Sequence, residues 1–380
     1  MKKTIKLAVI AALALGTTSV FATNGINQIA TGAKARGMGG VGIATSFNGE
    51  NTYSNPSMIT RTKKAYVNVG LNVFKADVSF ESPAGKIDST YGTTVIPSVS
   101  GVYAINESFY IGGAVYGSGG MGVDYTDDKG SKDELAIAVI GIPMAYKVSG
   151  FSVGITPLMK YGSLSVPGIF SGQAAQQSSS TTGLGVEVGA DYELELDKEM
   201  SLTFAGVYKS AVELDFGKDV IRTNRNSDST LATPSVIGLG VNFDFGANTV
   251  AFDFKRLGYG SAKGFEDFDW VDQNVFALGY QYAAEAWEVR AGINYGDSPL
   301  GSDGTTPRGL QTSLNLFPAV TTTHYTLGGT WNIDESNSLD LGVVFATGEQ
   351  KETFGTAPFD YDMTATNNQT SAAVGYTYNF

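Results

Sequence analysis

The chain has no cysteine. That excludes disulfides, thiolate metal sites and a lipid anchor on Cys. It has one histidine, His324, and no GxSxG, so no motif supports a hydrolase. No cluster of metal-ligating residues and no cofactor motif is present, and the chain is read as a non-enzyme without cofactor. Charged residues make up only 16%, and the formal net charge is −12. With acids in excess and no basic cluster, nucleic acid is excluded as a partner. After Ala22 no run reaches the roughly 18 apolar residues of a membrane-spanning helix. A chain that crosses a membrane without such a helix must do so as a closed barrel, which alone satisfies every backbone group among strands.

What is present points to that barrel. Lys2, Lys3 and Lys6 precede the apolar run Leu7 to Leu15, and Val20-Phe21-Ala22 reads as a cleavage site. Residues 1–22 are therefore expected to be a cleaved signal peptide. Its removal leaves a charge of −15 on residues 23–380. The chain holds 48 Gly, 19 Tyr and 21 Phe, as suits a bent wall with aromatic girdles. In the closing stretch Val374, Tyr376, Tyr378 and Phe380 alternate with Ala373, Gly375, Thr377 and Asn379. A period of two puts an apolar face toward lipid and a small or polar face toward a lumen.

From Ala65 onward the pattern divides into fourteen strands: 65–80, 94–106, 108–118, 134–148, 151–166, 182–196, 200–216, 231–246, 248–258, 271–284, 286–297, 322–333, 338–350 and 370–380. Short turns alternate with long loops, as in outer-membrane barrels whose short turns are periplasmic. An even count leaves both barrel ends in the periplasm. Alternation also assigns faces. Val67, Val69, Leu71 and Val73 look outward and Asn68 and Asn72 inward; Trp287, Val289 and Ile293 look outward and Glu288, Arg290 and Asn294 inward. Charges go to the lumen because charge toward lipid costs about 2–4 kcal/mol at mid-bilayer. The fold class is all-β, a transmembrane antiparallel barrel.

Residues 23–64 do not alternate. They are rich in Gly, mildly apolar and too long for a turn. A fourteen-strand lumen is wider than side chains alone fill, so this segment is expected to be a plug inside it. Gly37-Met-Gly-Gly-Val-Gly42 lacks the Lys-Ser/Thr of a phosphate loop and reads as backbone packed against the wall.

Gly32-Ala-Lys-Ala-Arg-Gly-Met-Gly-Gly40 followed by Asn55-Pro56 resembles the hatch of the FadL/TodX outer-membrane transporters of long-chain fatty acids and aromatic hydrocarbons. Trp287 to Pro299, Phe317-Pro-Ala319, His324 to Gly328 and Leu339-Asp-Leu-Gly342 add to the resemblance, which covers essentially the mature chain. Ser57 departs from the family's usual Ala.

The resemblance implies a monomeric fourteen-strand barrel with an N-terminal hatch, in contact with lipopolysaccharide and outer-membrane lipid. The terminal Phe380 looks like the signal read by the barrel assembly machinery. The implied activity is passive uptake of hydrophobic compounds, fatty acids first. Capture would fall to apolar residues near the cell surface: Leu164, Val166, Ile169 and Phe170, with Leu314, Leu316 and Phe317. Each of these is also readable as loop packing. The hatch and gate would comprise Thr23, Asn24, Gly25, Ile26, Asn55 and Pro56. The third strand is kinked in the family, and Gly112-Gly113 marks the expected lateral opening; ordinary curvature is the other reading. Lys160, Lys255 and Arg290 face the lumen by parity. Each is a candidate partner for a fatty-acid carboxylate, or for a lumen acid such as Glu288 or Asp253. His324 is expected to make a lumen hydrogen bond. A general diffusion porin for small polar solutes is the alternative function, and it needs an open lumen.

Overall fold

The computed structural model describes residues 24–128, 131–221, 229–301 and 307–380, without the side chains of Ile169, Pro307 and Arg308. The expected signal peptide and Thr23 lie outside the described residues.

Fourteen antiparallel barrel strands follow one another around the wall. They are β1 (Ala65–Ser82), β2 (Gly85–Asp88 and Thr94–Ala104), β3 (Phe109–Asp124) and β4 (Lys132–Gly141 and Met144–Val148). Then come β5 (Phe151–Val166), β6 (Gln177–Glu195), β7 (Met200–Lys209), β8 (Val236–Phe245) and β9 (Asn248–Leu257). β10 (Gln273–Ala283), β11 (Trp287–Gly296), β12 (Thr323–Asn332), β13 (Asn337–Thr347 and Glu349–Phe354) and β14 (Tyr361–Asn379) complete the set. β14 pairs with β1 from Tyr66↔Asn379 to Glu81↔Thr364, which closes the barrel. Closure removes the sheet edges that lipid could not satisfy.

The expected faces hold. Val67, Val69, Leu71 and Val73 are exposed on the outside, while Asn68 and Asn72 are buried within. Trp287, Trp331, Tyr376 and Tyr378 are exposed near the short-turn end, where aromatic rings suit the membrane interface.

Several parts of the chain differ from the sequence reading: the fourteenth strand starts at Tyr361 rather than 370, and the fourth is interrupted between Gly141 and Met144. The seventh and eighth strands do not run on to 216 or start at 231. The wall strands stop at Lys209 and restart at Val236, and a separate inner hairpin pairs Val212–Asp215 with Thr230–Thr233. Pro234 offers no N–H to continue the wall ladder. The hairpin's apolar side, Val212, Leu214 and Phe216, is buried over Gly162, Gly183 and Gly185 of β5 and β6. The 298–321 loop also contains a helix (Pro307–Leu316). Its Leu310 and Leu314, with Phe317 just beyond, are buried, a helical spacing that a search for period two passes over.

Residues 24–62 lie inside the wall. They hold a short helix, Ala33–Gly37, and two 3-10 turns, Asn48–Tyr53 and Pro56–Arg61. Most of their side chains are buried, Met38, Val41, Asn55 and Ile59 among them.

Candidate functional site

The inner wall is shaped to receive backbone. Inward-facing glycines on four consecutive strands, Gly279, Gly292, Gly328 and Gly342, form a shelf under the short helix. A Cβ at Gly279 would stand 2.5 Å from Met38 O, one at Gly292 2.3 Å from Gly39 N, and one at Gly342 2.3 Å from Ala33 O. Gly37 and Gly328 face each other, with a Cβ on Gly328 only 2.8 Å from Gly37 Cα. The Gly37–Gly42 stretch is thus close-packed backbone. Polar wall groups complete the seat. Asp253 accepts hydrogen bonds from Gly42 N at 2.9 Å and Ile43 N at 3.1 Å. Within the segment, Asn55 accepts from Ser57 N at 3.1 Å and donates to Ile43 O at 2.8 Å. A Cβ at Gly154 would stand 2.5 Å from Pro56 C. Asn55 and Pro56, grouped by sequence with the gate, therefore sit in the anchored part of the segment.

The first described residues are held differently. Asn24, Gly25 and Ile26 lie beside Tyr259, in the loop between β9 and β10. Tyr259 Oη accepts from Ile26 N at 2.9 Å and donates to Asn24 O at 3.0 Å. On the other side this lead adds to the edge of β3. Gly120 N donates to Ile26 O at 2.9 Å, and Gln28 N to Ser118 O at 3.3 Å. That edge is open because the β2–β3 ladder ends at Ser98↔Tyr116. β3 also carries a bulge between Gly117 and Gly119 on its β4 side, and a Cβ at Gly119 would stand 2.3 Å from Ile26 O. Gly112-Gly113, named from sequence as the lateral opening, is where the β2–β3 ladder is intact. Gly112 and Gly113 remain paired with Val102 and Gly101 of β2. What breaks there is the neighbouring strand, at Ile142-Pro143. The departure of β3 from β2 comes at Gly117, because a bulge adds a residue and bends the strand.

A cavity of about 150 Å³ lies between the segment and the wall. Ile29, Val41, Phe47, Val139, Leu158 and Leu257 give it apolar sides, and Asn24, Asn27 and Gln28 of the lead close one flank. Three lysines reach it, Lys160, Lys209 and Lys255, together with two acids, Glu50 and Glu187. Lys209 Nζ lies 3.1 Å from the carboxylate of Glu187. Lys160 Nζ donates to Thr233 Oγ1 at 2.8 Å, and Lys255 Nζ to Gly40 O at 2.7 Å. Among the described residues neither of these two has an acid within 4.0 Å. A chamber with apolar sides, in which Glu187 is taken by Lys209 and two further cations have no acid within ion-pair distance, suits an amphipathic anion. The structure brings together two of the three cations named from sequence and adds Lys209. Arg290 does not reach the cavity. It is buried against Glu288, Gln281 and Thr330, one of the lumen pairings named as the alternative. Parity on β7 signals that Lys209 faces inward, but nothing in sequence places it beside Lys160.

Among the described residues, those expected to capture ligand form no open groove. Leu164, Val166, Leu314, Leu316 and Phe317 are buried in one apolar cluster, with Phe170 packed against it; the Ile169 side chain lies outside the described residues. Phe268 stands 6.2 Å from Phe170 and 6.1 Å from Phe317 between ring centroids. The loops that follow β5, β9 and β11 thus make a closed lid. Apolar side chains beyond the bilayer are stabilised by packing on each other, at about 25 cal/mol per Å² removed from water. Sequence reading missed the middle loop, whose Tyr259, Phe265, Phe268 and Trp270 are all buried there; their aromatic density was the available signal.

His324 faces inward and is fully buried. Its ring has the backbone of Asn294, its cross-strand neighbour, as a hydrogen-bond partner, while the Asn294 side-chain amide donates to Gly39 O.

Comparison with known proteins agrees with this architecture. The family described as outer membrane protein transport protein (OMPP1/FadL/TodX) matches residues 12–380. A long-chain fatty acid transport protein of Escherichia coli O6:H1 is 22% identical, over 91% of each chain. The crystal structure of a Pseudomonas aeruginosa FadL homologue superposes with a TM-score of 0.70 at 14% identity, covering 94% of this chain and 100% of that one. The toluene transporter TodX of P. putida gives 0.66 at 18%, covering 92% and 99%. At such identities the two crystal structures bear on the fold, while the family match spans nearly the whole sequence. The chain therefore belongs to the OMPP1/FadL/TodX family of outer membrane transport proteins, built as a fourteen-strand barrel of the Gram-negative outer membrane.

Proposed function

We propose that this protein is a channel for passive uptake of hydrophobic compounds, with long-chain fatty acids as its main substrates. The observation that carries the reading is the apolar cavity reached by Lys160 and Lys255. The tail would lie along Ile29, Val139 and Leu158, and the carboxylate would meet the lysines. Capture would occur at the lid around Phe170, Leu314 and Phe317. Residues 23–64 would act as a hatch, with the lead 23–28 as its moving part and Asn55-Pro56 as its fixed seat. Exit would be lateral, where β3 leaves β2 at Gly117–Gly120. Catalysis has no place in this reading, and neither does nucleic acid. The protein would act as a monomer after removal of residues 1–22, inserted by the barrel assembly machinery among lipopolysaccharide. The name of the E. coli relative supports the fatty-acid reading.

A second reading is favoured by size. A cavity of about 150 Å³ is what one benzene-sized ring occupies. A long-chain acid needs more room and must displace the lead. A monoaromatic hydrocarbon would fit as the cavity stands, and the P. putida neighbour is a toluene transporter. A porin is disfavoured, because residues 24–62 occupy the lumen.

The deciding experiment is titration of hexadecanoic acid and of toluene into folded, purified protein, read by native mass spectrometry. Saturable binding of the acid at one or two molecules, weakened by Phe170→Asp, supports the first reading. Toluene binding alone moves the assignment to the second. No binding of either, with a large ion conductance, returns the porin.

A further inference from the structure

Five residues at the start of the described chain touch three parts of the molecule. Asn24, Asn27 and Gln28 line the cavity. The backbone of Ile26 and Gln28 fills the open edge of β3. The third contact is the Tyr259 hydroxyl. It accepts from Ile26 N at 2.9 Å and Asn27 Nδ2 at 3.0 Å, and donates to Asn24 O at 3.0 Å. A tyrosine hydroxyl has one donor and a limited set of acceptor sites, so all its bonding goes to the lead. Gly25 passes so close, at φ +60°, that a Cβ there would stand 2.4 Å from Oη.

The ring of the same residue belongs to the lid. It lies edge-on to Trp270 at 5.0 Å and to Phe265 at 5.7 Å. Trp270 Nε1 in turn donates to Ser313 Oγ at 3.0 Å, on the lid helix. Tyr259 is itself fully buried. Its ring and its hydroxyl therefore answer to different parts of the protein.

We propose that Tyr259 is a positioning residue that couples the lid to the lead. An apolar molecule entering the lid must part Phe265 and Trp270 from the Tyr259 ring. Movement of the ring withdraws the hydroxyl from Asn24, Ile26 and Asn27. The lead then keeps its contacts with β3 and the cavity and the hydrogen bond from Arg36 to Gln28, and with the Tyr259 hold gone residues 24–27 leave β3 and the cavity together. Capture, access to the cavity and lateral opening become one event. The identity of the entering molecule rests on the function proposed above; the coupling itself does not.

The absence of cysteine makes the test direct. Asn24→Cys supplies a single thiol at a position 3% exposed, without touching the Asn24 carbonyl that Tyr259 holds. The rate of its reaction with a membrane-impermeant maleimide reports release of the lead. Tyr259→Phe keeps the ring and removes the hydroxyl, and it should raise that rate at least tenfold. Trp270→Ala makes no change to the lead's hydrogen bonds, and it should raise the rate as well. Heat-modifiable migration on gels establishes that each barrel is folded. If Tyr259→Phe does not fold, Gly25→Ala loosens the same contact from the lead's side and should give the same rise. No rise in Tyr259→Phe overturns the proposal. A rise in Tyr259→Phe with none in Trp270→Ala also overturns it, because the hydroxyl is then a tether unconnected to the lid. Hexadecanoic acid should accelerate labelling of the Asn24→Cys protein. If the variants behave as stated and the acid neither binds nor accelerates, the coupling stands and the fatty-acid assignment falls.

Discussion

Replacing Lys160 by Met removes one positive charge from the cavity and keeps a side chain of similar length. Lys160 projects inward from β5, and its Nζ meets only the Thr233 hydroxyl, at 2.8 Å. Lys209 nearby is offset by Glu187 at 3.1 Å. A ligand carboxylate reaching Lys160 would therefore form a charge-assisted hydrogen bond without breaking an ion pair. Such bonds contribute about 1.5–3 kcal/mol. Taking about 2 kcal/mol, Lys160→Met should raise the Kd for hexadecanoic acid about 30-fold. Its methyl ester has the same tail and no charge, so its Kd should change by less than about threefold. Titration of both compounds into both proteins, by native mass spectrometry or tryptophan quenching, gives four constants and one decisive ratio. If acid and ester weaken alike, the lysine acts through shape. If neither weakens, the carboxylate does not sit at Lys160 and the charge argument is wrong. Toluene should bind the two proteins equally.

Gly292→Val should unseat the hatch while sparing the lipid face, because its Cβ would stand 2.3 Å from Gly39 N; ion conductance should rise in a barrel that still migrates as folded. Asp253→Ala leaves Gly42 N and Ile43 N without their acceptor. At about 1–3 kcal/mol for each buried donor, a loss of several kcal/mol is expected in denaturant unfolding, and a loss below about 1 kcal/mol contradicts the anchoring role. Gly119→Val places a side chain against Ile26 O and should weaken the hold of β3 on the lead. Faster labelling at Asn24→Cys is expected, whereas Gly113→Val, with open space around its Cβ, should leave labelling unchanged.

Much of the barrel was legible because lipid and lumen impose opposite chemistry on neighbouring residues. Val67 beside Asn68, or Ile293 beside Asn294, carries its facing in its own identity. Fourteen strands, two kinds of connection and a non-alternating N-terminal stretch followed from that local rule. The inward direction of Lys160, Lys255 and Arg290 followed too, since parity needs no partner. Parity sets direction only, and Arg290 ended among Glu288, Gln281 and Thr330 while the two lysines both came to line the cavity.

The tertiary structure decided everything that depends on which inward faces meet. Val212, Leu214 and Phe216 alternate as a lipid-facing strand does, and only the bend at Pro234 and the bare glycines of β5 and β6 turn them into the lumen. Period two distinguishes apolar from polar sides; it carries no mark of whether the apolar side meets lipid or protein. Gly112-Gly113 and Gly117–Gly120 are equally flexible as sequence, and the place where β3 parts from β2 is set by the end of a ladder between strands. Tyr259 reads alone as one more interfacial aromatic. Its contact with Asn24 and Ile26, more than two hundred residues away, exists because the start of the described chain lies inside the barrel, where the loop after β9 reaches it.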